Sequence, residues 1–347
     1  MYKSRLAALL LIGTTLFFFR FFLDRAPQEI SLFHGVEMTI PYTIKIGHPL
    51  SESDKREVEG VIFSTFREID NIHNKWNPAS ELSGLNRHSP GVPVEVSGEL
   101  AYLLKKTEAV WLATEGKFDP TIEPLHRLWK INLEKGNKPP QSEIERVRQS
   151  VGWTHVTING NFVLKEKEGI EIDLGGIAKG HLVDRMTDNL NGLGFKNIFV
   201  EWGGEIKATG VHPEGRPWRV FVSRLQDPNP DKALSFIEIS DEALATSGDY
   251  LQQWLYRGES GEEETLCHII DPTAAKPLSV TPQSICSCTV KMKSCAMADA
   301  VATAIMLAKN KEEAKQLTSR VASILGEGTF WIYSREDIEQ GVVSRSD

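Results

Sequence analysis

The chain is poor in cysteine, four in 347 residues, and has no excess of basic charge, no internal repeat and no low-complexity tract beyond its first residues. Thirty-nine Lys and Arg against 47 Asp and Glu give a net charge of −8, which removes the general electrostatic grip on phosphates that nucleic-acid binding requires. The four cysteines, Cys267, Cys286, Cys288 and Cys295, do not have zinc-ligand spacing. Neither G-x-S-x-G nor H-E-x-x-H occurs, and no P-loop or G-x-G-x-x-G is present, so the usual signatures of serine hydrolases, zinc proteases and nucleotide-binding loops are missing. What remains, with 41% hydrophobic and 25% charged residues, is an ordinary folded composition able to bury a real core in one large domain or two of average size.

The N-terminus carries Lys3 and Arg5 ahead of an apolar run from Leu6 to Phe19, with Arg20 interrupting before Phe21, Phe22 and Leu23. This has the length and basic flank of an export signal, without a clean small-x-small cleavage site or a cysteine to be lipidated. Residues 1–25 are therefore predicted to be a retained membrane anchor and 30–345 an acidic exported body. Location follows: the extracytoplasmic, periplasmic side of the inner membrane. In a chain that leaves the cytoplasm a disulfide is allowed. Cys286 and Cys288 in Ile285-Cys-Ser-Cys-Thr-Val290 nevertheless read as strand residues with both sulfurs on one face, small packing groups in preference to a bridge.

The body reads as α+β, mixed sheets with packed helices and no Rossmann regularity. Val58, Ile62, Phe66 and Ile69 recur at helical spacing, as do Leu100, Leu103, Leu104 and Val110, with Gly116 as a stop. Ser142 and Glu145 suggest a capping box, and Asn159-Gly160 a two-residue hairpin turn between Thr154 and Leu164. Gly169 to Leu174 reads as a strand, and Ile177 to about Leu190 and Met297 to about Lys309 as helices.

Three places could carry chemistry. Asp173-Leu-Gly-Gly-Ile-Ala-Lys-Gly180 combines free N–H groups, a helix start and a cation, Lys179, which suits a phosphate, although Gly-Gly turns are common and Lys179 could equally be solvated. Asp299 and Thr303 stand four apart on a helix, so an anionic and a neutral oxygen share a face and suit a hard cation such as magnesium; a capping Asp and a packed Thr are the alternative. His268 and Asp271 end an apolar strand, where the histidine could be a base or a structural residue. Asp119, in the loop Gly116-Lys-Phe-Asp-Pro-Thr-Ile-Glu-Pro124, looks like a cap.

Taken in order, Met38-Thr39, Trp76-Asn-Pro-Ala-Ser-Glu, Phe118-Asp-Pro-Thr121, Asp173 to Gly180 with Asp184, Gly203-Gly204, Thr246-Ser-Gly-Asp-Tyr250, His268-Ile-Ile-Asp-Pro272 and Ala298-Asp-Ala-x-Ala-Thr-Ala304 resemble the ApbE family of FAD:protein FMN transferases. The likeness covers about Phe33 to Tyr333. It implies an extracytoplasmic, Mg2+-dependent enzyme that splits FAD, its substrate, and attaches FMN through a phosphoester to a Thr or Ser of an acceptor flavoprotein, releasing AMP. It further implies Gly176, Asp299 and Thr303 as magnesium ligands, with Met38, Trp76, Asn77, Pro78, Lys117, Phe118, Asp119, Asp173, Lys179 and Ile270 at FAD-contacting positions. Catalysis would fall to His268, Lys179 and Asp299. Family acceptors are subunits of sodium-translocating NADH:quinone reductase or Rnf-type complexes. This chain departs from the family pattern in lacking the lipidated cysteine, in Ala302 where some members have a second acid, and in Ala274-Ala275 where Gly usually follows the D-P turn. An FAD pyrophosphatase and a non-enzymatic envelope flavin binder are the competing readings.

Overall fold

A computed structural model describes residues 29–223, 229, 231, 233–250, 252–258 and 261–339, so the expected leader over 1–25 lies outside the described residues. In chain order, β1 (Ser31–Glu37) and β2 (Ile40–Ile46) lead to α1 (Glu52–His73) and α2 (Glu81–Arg87), and β3 (Val94–Glu95) to α3 (Gly98–Ala113), α4 (Glu123–Leu133) and α5 (Gln141–Arg148). The hairpin β4 (Val156–Asn159) and β5 (Phe162–Lys165) precedes α6 (Ala178–Gly192), β6 (Ile198–Trp202), β7 (Glu205–Thr209), β8 (Trp218–Val222) and β9 (Ser235–Ile239). Then come β10 (Glu242–Gly248), β11 (Gln253–Arg257), β12 (Glu263–Asp271), β13 (Lys276–Ser279) and β14 (Ile285–Met292). The described chain closes with α7 (Cys295–Met306), α8 (Lys311–Leu325), β15 (Thr329–Ser334) and α9 (Arg335–Glu339).

The frame is a seven-stranded antiparallel sheet in the order β1-β2-β6-β7-β10-β14-β15. Strand alternation divides its side chains: Ile198 and Val200 of β6 pack with α1 and α6, while Phe199 packs with Trp218, Val222 and Ile237 of the β8–β9 hairpin on the opposite face. The helical side holds the larger core, where α3, α7 and α8 meet the β4–β5 hairpin, β14 and β15. A satellite cluster joins α4 and α5 to β12 and the turn that follows it. Among the described residues no helix is long and apolar enough to cross a membrane.

Helix α1 begins where Ser51 Oγ accepts from Asp54 N and Asp54 Oδ2 accepts from Ser51 N, each at 3.2 Å, and its apolar stripe of Val58, Ile62, Phe66 and Ile69 is buried against the sheet. Helix α7 has alanine at every second position, Ala296, Ala298, Ala300, Ala302 and Ala304, all fully buried, so its backbone can approach β10, β14 and α6 closely. The tightest approach is at Gly180. A Cβ there would lie 2.3 Å from the Cys295 carbonyl oxygen and 2.8 Å from Ala296 Cα, so α6 and α7 would have to part. Gly180→Ala is expected to cost about 1–3 kcal/mol as overpacking, lowering the melting temperature by a few degrees; an unaltered thermal melt would contradict this contact.

Four local expectations are corrected. Gly169 to Leu174 is not a strand: Asn86 brackets Ile172, its Nδ2 donating to the carbonyl and its Oδ1 accepting from N–H, both at 2.8 Å, while Asp173 N donates to Pro120 O at 2.7 Å. A side chain and a loop carbonyl thus take the places of a neighbouring strand. The β4–β5 turn residues are Gly160 and Asn161, one position later than expected, because Asn159 pairs with Phe162. Helix α5 starts after Pro140 with no side-chain cap, so Ser142 and Glu145 form no capping box. Finally, a bulge between Ile285 and Ser287 turns Cys286 to the β8–β9 side while Cys288 faces the helices, and all four cysteines are free and buried.

Candidate active site

The end of α1, the turn before α6 and the β1–β2 connection enclose a cavity of about 530 Å3 lined by Met38, Trp76, Asp173, Gly175, Lys179 and Trp202, among others. Met38 and Thr39 take positive φ, 49° and 67°, so the β1–β2 turn adopts a left-handed conformation uncommon for side chains with a Cβ. Asn74 Nδ2 reaches Met38 Sδ at 3.9 Å and tethers that turn to α1. Trp76 is 70% exposed at the rim, with the Lys75 and Lys130 ammonium groups 4.8 and 5.5 Å from its ring centroid.

Behind the cavity lies an oxygen cluster. Asp299 is only 3% exposed, and its Oδ2 accepts from Gly180 N at 3.1 Å. One turn on, Thr303 Oγ1 donates to Asp299 O and lies 3.2 Å from Ser247 Oγ on β10. Gly176 lies against this group: a Cβ added there would sit 3.4 Å from Thr303 Oγ1 and 3.1 Å from the Phe118 ring, so a larger residue would have to push Phe118 aside by a few tenths of an ångström. Asp184 secures the geometry from α6. Its carboxylate accepts from Cys295 N at 3.0 Å, Ala296 N at 3.1 Å, Ser294 Oγ at 2.7 Å and Lys207 Nζ at 2.7 Å, capping α7 from a neighbouring helix.

Charge at this cluster is unbalanced. Lys179 pairs with Glu205, 1% exposed, and burial raises the carboxyls of both Glu205 and Asp299 against the attraction of that one ammonium. Burial works against the Lys179 ammonium too, but Glu205 and Asp299 more than offset it and hold the amine above its usual range. Two buried carboxylates share one cation, which leaves room for a further positive charge. A carboxylate, a hydroxyl and a backbone carbonyl form a hard oxygen donor set of the kind magnesium takes, so the residues present fit that ion.

The other expected positions are placed as follows. Asp173 is half-buried; Lys75 and the Gly175 N–H overcome the effect of burial and hold its carboxyl below the usual range, with Lys75 Nζ at 2.8 Å. His268 lies on β12, its Nδ1 enclosed without a hydrogen-bond partner among the described residues, and burial together with the Lys179 charge lowers its pKa. Phe118 packs in the core against Gly176, and Ile270 in the satellite cluster. Asp119 accepts from Thr121 N at 2.8 Å and Trp153 N at 3.1 Å, the expected cap. Lys117 Nζ pairs with Glu313 of α8 at 2.7 Å. Asn77 closes the turn after α1 through Asp70 at 2.9 Å, and neither Asn77 nor Pro78 lines the cavity. Ala275 keeps φ at 54°, so the loop where Gly is usual retains its left-handed turn, with the Ala275 carbonyl accepting from Trp129 Nε1 at 2.9 Å.

Three residues were not singled out from the sequence. Lys75, bonded to both Glu123 and Asp173, carries a positive charge to the cavity wall; Glu205 partners Lys179; and Ser247 meets Thr303. A polar residue on a core strand is the only local signal for Glu205, and none marks Lys75.

A sequence profile described as the ApbE family matches residues 38–325. The FAD:protein FMN transferase of Chlamydia pneumoniae is 38% identical over 291 residues, 83% of this chain and 88% of its own length, and that of Vibrio cholerae 33% identical over 285 residues, 81% and 82%. Among solved structures, the flavin transferase ApbE from Vibrio cholerae superposes with a TM-score of 0.72 at 29% identity, covering 90% of this chain and 99% of that one. The ApbE protein of Thermotoga maritima gives 0.74 at 26%, covering 92% and 97%. With the profile spanning most of its length and relatives above 30% identity covering four fifths of it, this chain belongs to the ApbE family.

Proposed function

We propose that this chain is a magnesium-dependent FAD:protein FMN transferase, splitting FAD at its pyrophosphate and joining FMN through a phosphoester to a Thr or Ser hydroxyl of an acceptor flavoprotein, with AMP released. The observation that carries this reading is the buried Asp299 carboxylate with Thr303 Oγ1 one turn on, Gly176 against that hydroxyl, and the Lys179 ammonium at a cavity walled by Met38, Trp76 and Asp173. The names of the relatives supply the reaction.

Asp299, Thr303 and the Gly176 carbonyl would hold magnesium, which when bound supplies neutralisation of the pyrophosphate charge. Lys179 and the Gly176 N–H orient the phosphates at the start of α6. Trp76 offers a flat apolar face for a ring of FAD. His268, kept neutral at pH 7 by its lowered pKa, takes the proton of the acceptor hydroxyl as the new O–P bond forms and the bridging P–O bond to AMP breaks. In this reading the apolar leader anchors the enzyme at the periplasmic face of the inner membrane, within reach of subunits of NADH:quinone reductase or Rnf-type complexes.

Incubation with FAD, Mg2+ and an acceptor domain, followed by intact mass and in-gel flavin fluorescence, tests this. A gain matching one FMN residue is expected, with a rate that holds through neutral pH and falls in acid as His268 is protonated. AMP and FMN released without an adduct would indicate a pyrophosphatase, and intact bound FAD a flavin carrier; either defeats the transferase reading.

A further inference from the structure

Three helices bring together a cluster that the flavin chemistry does not use. His73 ends α1, Glu99 lies in the first turn of α3 and His181 in the first turn of α6. One nitrogen of each ring and a Glu99 oxygen all lie within 4.8 Å of one another. His181 Nε2 is 2.6 Å from Glu99 Oε1, and the two imidazoles stand edge to face with centroids 5.2 Å apart.

His73 is 3% and His181 1% exposed, yet neither nitrogen of His73 nor Nδ1 of His181 makes a hydrogen bond among the described residues. Buried polar atoms are nearly always paired, so three orphaned imidazole nitrogens in one spot call for a ligand. Two imidazoles and a carboxylate are the donor set of zinc and related transition metals, whereas magnesium prefers oxygen alone. The other groups facing the cluster are the Glu99 backbone and Arg185, whose Nε lies 3.5 Å from Glu99 and whose Nη2 is 3.4 Å from Glu68. A cavity of about 470 Å3 lined by Glu99, Tyr102, Lys106, His181 and Arg185 supplies an entry path and room for water as a fourth ligand.

We propose that His73, Glu99 and His181 form a second metal site, taking Zn2+ or a similar divalent transition-metal ion and distinct from the Asp299 oxygen cluster. The site is structural. It ties the ends of three helices at the point where α1 hands over to Lys75 and Trp76 and where α6 presents Lys179, and so braces two walls of the flavin cavity. It stands independently of the transferase reading.

The test uses the full chain, stripped with chelator and titrated with Co2+ as probe, then with Zn2+ in competition, in the natural sequence and in Asp299→Ala. One equivalent is expected in Asp299→Ala, where the oxygen cluster is disabled, with visible d–d bands, two paramagnetically shifted imidazole N–H resonances, and a melting temperature raised by Zn2+ but not by Mg2+. His73→Gln or His181→Gln should weaken uptake on the order of 100-fold or more. Uptake lost in Asp299→Ala and kept in His73→Gln would put the ion in the oxygen cluster and overturn the assignment. Should the histidine variants fail to fold, the unaltered protein still decides: no stoichiometric uptake, or bands without the two imidazole resonances, overturns it as well.

Discussion

Asp299→Ala is expected to remain folded and to lose FMN transfer by on the order of 10³-fold or more, the several kcal/mol that a metal ion contributes to charge stabilisation in the transition state. The fold should survive because the carboxylate is destabilised where it stands: burial raises its pKa, and it shares the Lys179 ammonium with Glu205. The structural loss is the acceptor for Gly180 N, about 1 kcal/mol. EDTA should abolish transfer by the natural sequence, and added Mg2+ restore it. Transfer by Asp299→Ala at a rate near the original would remove Asp299 from the metal site, whatever happens to the rest of the reading.

Lys179→Met separates stability from chemistry. The variant leaves Glu205 and Asp299 buried without their ammonium, a change that typically costs about 3–5 kcal/mol when one partner of a buried pair is deleted. Transfer should fall with it, since the phosphates lose their cation. In Lys179→Met/Glu205→Gln the unpaired charge at Glu205 is gone, so urea unfolding should return most of the stability while transfer stays low. A double variant as unstable as the single one would mean that Glu205 is not the partner whose charge matters; recovered transfer would mean that Lys179 serves the fold alone.

The helices were legible because their signals are local. The apolar spacing from Val58 to Ile69 and from Leu100 to Val110, and the alternating alanines around Asp299, each need only neighbours in sequence. The segment from Gly169 to Leu174 was misread for the converse reason: its alternation of Ile170, Ile172 and Leu174 is that of a strand, but its backbone is satisfied by Asn86 and Pro120, far away in the chain. The two cysteines of β14 were placed on one face because a bulge depends on the partner strand, β15, and not on the strand that carries it.

The same division runs through the candidate site. The order of its motifs, the D-x-x-x-T spacing that puts Asp299 beside Thr303, the glycines of the turn before Lys179 and the acidic balance are properties of the sequence, because each is set by composition or by a helix period. The tertiary structure decided which of those groups meet and what else meets them. Glu205 opposite Lys179, Asp184 capping a helix more than a hundred residues away, Lys75 bonded to Asp173, and His73 facing His181 and Glu99 all depend on packing between distant segments. Burial and neighbours then set their charge: the same carboxyl that water would leave ionised is raised at Asp299, where burial outweighs Lys179, and lowered at Asp173, where Lys75 and the Gly175 N–H outweigh burial.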